Sequence, residues 1–171
     1  ASASPGRTQL LLQLGFDCET FPQDIDETRY EGESSEQYVS RMAQEKAQSG
    51  RGLLFPQPGV LIAADTVVSL EDDVLAKPES EAQAVGFLLR LAKTTHEVRS
   101  AVCVLASDES GAIFQIGSAV SLTRVTFGDI SRTEALRYWQ SGEPRGKAGG
   151  YAIQGLAAQF IRSIEGSYSG V

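Results

Sequence analysis

The chain has 171 residues, 42% of them apolar and 22% charged, which is the composition of a folded globular domain and lies outside the low-hydrophobicity range of disorder. With 22 acidic against 15 basic side chains the formal charge is −7, and no Lys/Arg run appears, so no nucleic-acid partner is expected, although a small anionic ligand needs only a local basic pocket. The longest apolar stretch, GVLIAADTVVSL at 59–70, is too short to cross a bilayer and is broken by Asp65, so no membrane partner is expected either.

Residues 5–14 are predicted as a short helix, with Ser4 as N-cap, Pro5 at the first helical position and Gly15 as its stop. FDCETF at 16–21 alternates as a strand does and runs into an acidic loop, DIDETRYEGES. A second helix starts from Ser34, where Gln37 completes a capping box, and ends near Ser49 before Gly50. GVLIAADTVVSL reads as a buried strand, and EDD followed by VLAKP as a tight turn and short return. The pair Ser80 and Gln83 caps a third helix that reaches Thr94. EVRSAVCVLAS and AIFQIGSAVSLTRVTF, joined by DESG, have the pattern of an antiparallel hairpin. Ser131 with Glu134 caps a fourth helix that ends near Gly142, ahead of a glycine-rich loop, EPRGKAGGYAIQG, and a last strand, AAQFIRSIEG. Helices interleaved with strands predict an α/β fold in which a mixed, twisted sheet is flanked by helices, in one domain over 1–171.

Several residues do not fit these patterns. On the second helix Val39, Met42, Ala43 and Ala47 make one apolar stripe, and Lys46 falls in the same stripe. Either its stem snorkels to water or its ammonium has a functional partner. Asp65 interrupts a strand that is otherwise apolar on both faces; a buried carboxylate there calls for a cation, a metal or a catalytic role rather than a strand-end bond to a loop amide. Asp26 and Glu27 lie in the acidic loop, where solvated charge is ordinary. Near Asp65 they would form the paired carboxylates that Mg²⁺ uses when it keeps its waters and bridges phosphate oxygens.

Lys77 and Lys147 stand in turns and, with Arg7 and Lys46, provide four cations for one polyanion. GEPRGK is not a Walker loop, because its glycine spacing is one residue short and Ala148 stands where a Ser or Thr is required. His96 is expected to be structural, and Tyr138, Trp139 and Tyr151 to pack. Cys18 and Cys103 lack CxxC spacing and read as small buried hydrophobes in a reduced, cytoplasmic setting. At the front of the chain, SASPGR puts the N–H groups and dipole of a helix start beside donors from Ser2, Ser4 and Arg7, which together suit a phosphate.

Taken in order, SASPGRTQLL, QEKAQSG, AADTVV, LAKP, THEVRSAV, YWQSGEPRGKAGGYAIQG and FIRSIEGSYSGV resemble the Maf proteins along essentially the whole chain. The resemblance implies a Maf/ITPase-like domain of two lobes around a cleft. It implies a nucleoside triphosphate pyrophosphatase, also described as a septum formation inhibitor, that cuts the α–β phosphoanhydride and needs Mg²⁺ or Mn²⁺. By the same resemblance Asp65 is the catalytic carboxylate and Glu27 its partner, both as metal ligands, with Lys46 beside them. Ser4, Arg7 and Lys77 hold phosphate. ADT and IQG resemble the branch that prefers dTTP and UTP, which makes Thr66 and Gln154 the base-selecting residues. A homodimer is also implied, as are an apolar strand before Ala1 and a GLPL-like segment after Val171. The family usually carries two consecutive arginines after its Ser-Pro, and here Gly6 replaces the first. A rival reading, a non-catalytic nucleotide-binding regulator of cell division, gains from Gly6, while Asp65, Glu27, Lys46 and Lys77 favour the enzyme.

Overall fold

A computed structural model describes residues 4–56, 58–71 and 73–171; Ser2 of the expected phosphate cradle lies outside them. In chain order the regular elements are α1 (Pro5–Gln13), α2 (Ser35–Ser49), β1 (Gly59–Leu70), β2 (Asp73–Leu75), α3 (Glu81–Leu91), β3 (Thr95–Ser107), β4 (Ile113–Phe127), α4 (Arg132–Gln140) and β5 (Ile161–Glu165), with short 3₁₀ turns at Gly50–Leu54, Ala148–Gly150, Leu156–Phe160 and Tyr168–Gly170. The α/β class is as expected. The five strands form one sheet in the order β2-β1-β3-β4-β5.

The sheet runs antiparallel where a mixed one was expected, because neighbouring strands pair with opposed sense. Val68 faces Leu75 and Leu70 faces Asp73 in the β1–β2 ladder, and Arg124 faces Glu165 in the β4–β5 ladder. Between β1 and β3 the sense is set by two contacts, Gly59 N–H to Ser107 Oγ at 3.0 Å and Thr66 Oγ1 to Ser100 Oγ at 2.6 Å, which ascend one strand as they descend the other.

The capping boxes act as read. Ser34 accepts from the Gln37 amide and Gln37 answers to the Ser34 amide, and Ser131 and Glu134 do the same for α4. Each satisfies amides that a helix start would otherwise leave unpaired. Ser4 differs, since its side chain makes no cap bond to α1.

The chain divides into two compact units, Ala1–Asp65 with Ala101–Val120 and Thr66–Ser100 with Ser121–Val171, and the boundary in β1 falls between Asp65 and Thr66. In the first, α2 buries Val39, Met42, Ala43 and Ala47 to 1% exposure or less, and β1 buries Leu61 and Ala63. The second has a larger core built from Val68, Leu88, Leu91, Val125, Phe127, Tyr138 and Phe160 among others. α3 and α4 pack on each other within it.

Three segments differ from the sequence reading. FDCETF is not a strand: no ladder of the sheet includes it, and alternation makes a strand only where a neighbouring edge accepts its hydrogen bonds. Cys18 within it is half-buried, whereas Cys103 on β3 is fully buried as expected. The third helix stops at Leu91, because Lys93 turns left-handed at φ 59° and its amide bonds the Gly128 carbonyl at 2.8 Å. The last strand starts late, since Leu156–Phe160 coil into a 3₁₀ turn that buries Ala157 and Phe160 before β5 begins.

Candidate active site

Lys46 answers its misplaced charge within the first unit. Its ammonium donates to Asp65 Oδ1 at 2.7 Å and contacts Glu27 Oε1 at 2.6 Å. The Lys46 and Asp65 side chains are 12% and 13% exposed, and Glu27 is 40% exposed at the outer side. The stem therefore does not snorkel to water but turns to two carboxylates. Burial disfavours the ammonium, but the charge and hydrogen bond of Asp65, helped by Glu27, outweigh it and hold the Lys46 pKa above its usual value. Asp65 reaches this place by strand period: on β1 it shares a face with Leu61, Ala63 and Val67.

Arg7 belongs to the same field. It lies in the first turn of α1 and donates to the Ala64 carbonyl at 2.7 Å, one residue before Asp65. Burial lowers its pKa, while the charges of Asp65 and Glu27 act in the opposite direction. Two cations and two carboxylates are thus gathered in one half-buried place. Gly6 has a non-positive φ, and a Cβ added to it would meet only Ser4 Oγ at 3.9 Å, so the backbone has room for a side chain there.

Glu27 sits in a segment without regular structure, and residues that the sequence reading missed hold it. Tyr38 donates its hydroxyl to the Glu27 carbonyl at 2.8 Å. Arg41 grips Glu33 with two hydrogen bonds at 2.7 and 2.8 Å, donates to the Thr28 carbonyl at 2.9 Å, and lies 3.9 Å over the Tyr30 ring. Its pKa is raised, first by the Glu33 hydrogen bond. The Tyr38 hydroxyl is pushed up to about 12, by burial and then by Asp65 and Glu27. The signal for this clamp was available in the i, i+3 spacing of Tyr38 and Arg41 on α2. Asp26 has a turn role, its Oδ1 accepting from the Thr28 amide at 2.9 Å.

Ser4, Thr66, Lys77 and Gln154 complete the expected set. Ser4 precedes α1 in the first unit; the other three belong to the second. Thr66 meets Ser100 at 2.6 Å, and Ser100 donates to the Gly170 carbonyl at 2.6 Å. Lys77 is exposed in the loop after β2. That loop is packed by the glycine-rich segment: the Gly149 amide donates to the Ala76 carbonyl at 3.1 Å, and a Cβ on Gly149 would lie 2.9 Å from Val68. Close packing and left-handed backbone, rather than a phosphate cradle, therefore explain these glycines.

Gln154 is exposed, donates to the Val171 carbonyl at 3.2 Å, and is displayed by a pinned loop. Glu143 takes the Tyr138 hydroxyl at 2.6 Å and the amides of Leu156 and Ala157 at 2.9 and 3.2 Å, and the Ala152 amide donates to the Tyr138 hydroxyl at 3.1 Å. A Cβ on Gly155 would fall 2.2 Å from Glu143 Oε2, so a side chain there would displace the carboxylate that holds the loop. His96 is structural as expected: its Nε2 is 2.7 Å from the Tyr151 hydroxyl, edge-on to Phe127.

Among the described residues no three His, Cys, Asp or Glu side chains cluster to hold a metal alone. A cavity of about 350 Å³ in the first unit lies between α1 and residues 59–64, mostly apolar, and does not include Asp65, Lys46 or Glu27.

The family model described as "Maf-like protein" matches residues 1–171. The dTTP/UTP pyrophosphatase of Saccharophagus degradans is 45% identical over 173 residues, covering all of this chain and 80% of that relative. That of Acinetobacter baylyi is also 45% identical, covering all of this chain and 89% of the relative, and that of Neisseria gonorrhoeae is 43% identical, covering 99% and 84%.

Proposed function

The chain belongs to the Maf family, and on that premise we propose that it is a nucleoside triphosphate pyrophosphatase of dTTP and UTP, with Asp65 as its general base. One observation carries the assignment of chemistry: Lys46 holds Asp65 and Glu27 together, half-buried, beside Arg7. A pair of cations beside a pair of carboxylates suits a polyanion that must be bound and then attacked by water.

In the proposed reaction Asp65 orients a water and takes its proton as the oxygen bonds the α-phosphorus. The bond from that phosphorus to the bridging oxygen breaks, and pyrophosphate leaves with the electron pair. Lys46 and Arg7 bind the non-bridging oxygens, where charge gathers. Lys46 also fixes Asp65 in orientation. Thr66, Lys77 and Gln154 keep the roles that the family resemblance implies, phosphate for Lys77 and base for the other two.

The donor set fits Mg²⁺ or Mn²⁺, because a pair of carboxylates suits an ion that keeps waters and takes further oxygens from a nucleotide. Asp65 and Glu27 would hold the ion, which would supply charge neutralisation at the phosphates. The reading is tested by the products from UTP with Mg²⁺ or Mn²⁺. UMP and pyrophosphate in equal amounts are expected. UDP with phosphate, or binding of UTP without turnover, would overturn it, the second outcome favouring the regulator that Gly6 suggests.

A further inference from the structure

Gln154 is exposed, yet the carboxylate of Glu143 reaches the backbone on both sides of it. Glu143 follows α4 and accepts the Leu156 amide on Oε2 at 2.9 Å and the Ala157 amide on Oε1 at 3.2 Å, just after Gln154 in the chain. Oε1 also accepts the Tyr138 hydroxyl at 2.6 Å, and the Tyr138 oxygen in turn accepts the Ala152 amide at 3.1 Å, just before Gln154. One carboxylate therefore holds the segment directly on one flank and through a single hydroxyl on the other.

The frame is closed and anchored. The Gly155 amide donates to the Ala152 carbonyl at 3.1 Å, which makes a turn around Ile153 and Gln154. Tyr138, Ile153, Ala157 and Phe160 all belong to the core of the second unit, and the Tyr138 ring stands edge-on to Phe160 at 5.6 Å. Burial, then the Glu143 hydrogen bond, raise the Tyr138 pKa, so the hydroxyl keeps the proton that it gives to Glu143. The backbone around Gln154 is thus held from the core while its side chain stands outside.

We infer that Glu143 is a positioning residue for nucleotide binding, whose carboxylate holds residues 152–157 so that Gln154 meets the nucleotide already ordered. A side chain presented on a loose loop must be ordered when the ligand arrives, and that cost is subtracted from affinity. Here the ordering is completed on folding. Glu143 acts through the loop backbone, and what it sets is the strength of the contact, not the identity of the base. The inference rests on the reading that Gln154 contacts the nucleotide.

The test is steady-state hydrolysis of UTP by the whole protein, alongside thermal unfolding. Glu143→Gln keeps the shape but turns an NH₂ group toward backbone donors, and is expected to raise KM about tenfold while lowering kcat far less. Tyr138→Phe keeps the packed ring, removes only the link to Ala152, and should move KM the same way by a smaller factor; it carries the test if Glu143→Gln does not fold. In a Gln154→Ala background neither change should raise KM further, a coupling that a purely structural residue would not show. A lower melting temperature with KM unchanged would overturn the inference, as would a full effect that persists without the Gln154 side chain. If Gln154→Ala itself leaves KM unchanged, Gln154 does not bind the nucleotide, and the assignment beneath the inference falls and takes the inference with it.

Discussion

Lys46 carries a positive charge in a helix stripe whose other members are 0–1% exposed, and it holds two carboxylates at 2.6 and 2.7 Å. Lys46→Met keeps the stem volume but removes the ammonium that joins Asp65 to Glu27. The expected outcome, read by denaturant unfolding and by steady-state kinetics, is a loss of roughly 2 kcal/mol of stability together with loss of turnover. Unchanged stability would mean that the carboxylates are not held by this ammonium. At this scale the sequence was informative wherever a residue contradicted its surroundings: Lys46 in an apolar stripe and Asp65 in an apolar strand both turned out to be paired with each other. Glu27 gave no such signal, because an acid in an acidic loop is ordinary, and only the family resemblance pointed to it. Arg41 and Glu143 were missed for the same reason: each is a common surface type, and only its partners give it a role.

At the scale of elements, the long segment ahead of α2 depends on contacts from that helix rather than on its own secondary structure. Arg41 is its main anchor, through Glu33, the Thr28 carbonyl and the Tyr30 ring. Arg41→Met should loosen residues 24–34, visible as faster proteolysis there, and lower kcat several-fold by letting the Glu27 carboxylate leave Lys46. Unaltered proteolysis with unaltered kcat would show that Tyr38 alone fixes Glu27. Helix starts were legible because capping boxes are local, whereas FDCETF was not. Its alternation was real, but a strand exists by virtue of its neighbour, and the pairing partner of a segment is not written in the segment itself. The glycine-rich loop misleads in a related way, since Gly149 answers to Val68 and Gly155 to Glu143, each distant in sequence.

At the scale of the whole molecule, stability should depend on pH through His96. The imidazole is 1% exposed, its Nδ1 has no hydrogen-bond partner among the described residues, and burial pushes its pKa down to about 4 from an ordinary 6.5. The unfolded chain therefore binds a proton that the folded chain refuses between those values. Stability is full above pH 6.5, falls as the pH drops through the window, and has lost this contribution entirely below pH 4. Between pH 6.5 and 5, above most carboxylate titration, the expected loss is roughly 1.5 kcal/mol, measured by urea unfolding. His96→Asn should flatten that slope, and a slope that persists in the variant would assign it to other groups.

The most direct measurement of the central claim is pyrophosphate release from dTTP and UTP by the protein and by Asp65→Asn, with nucleotide binding followed in both. The account predicts turnover in the parent, binding with turnover reduced at least a thousandfold in the variant, and an unchanged fold, since the substitution removes charge but almost no volume. Turnover retained in Asp65→Asn would contradict it and place the base elsewhere.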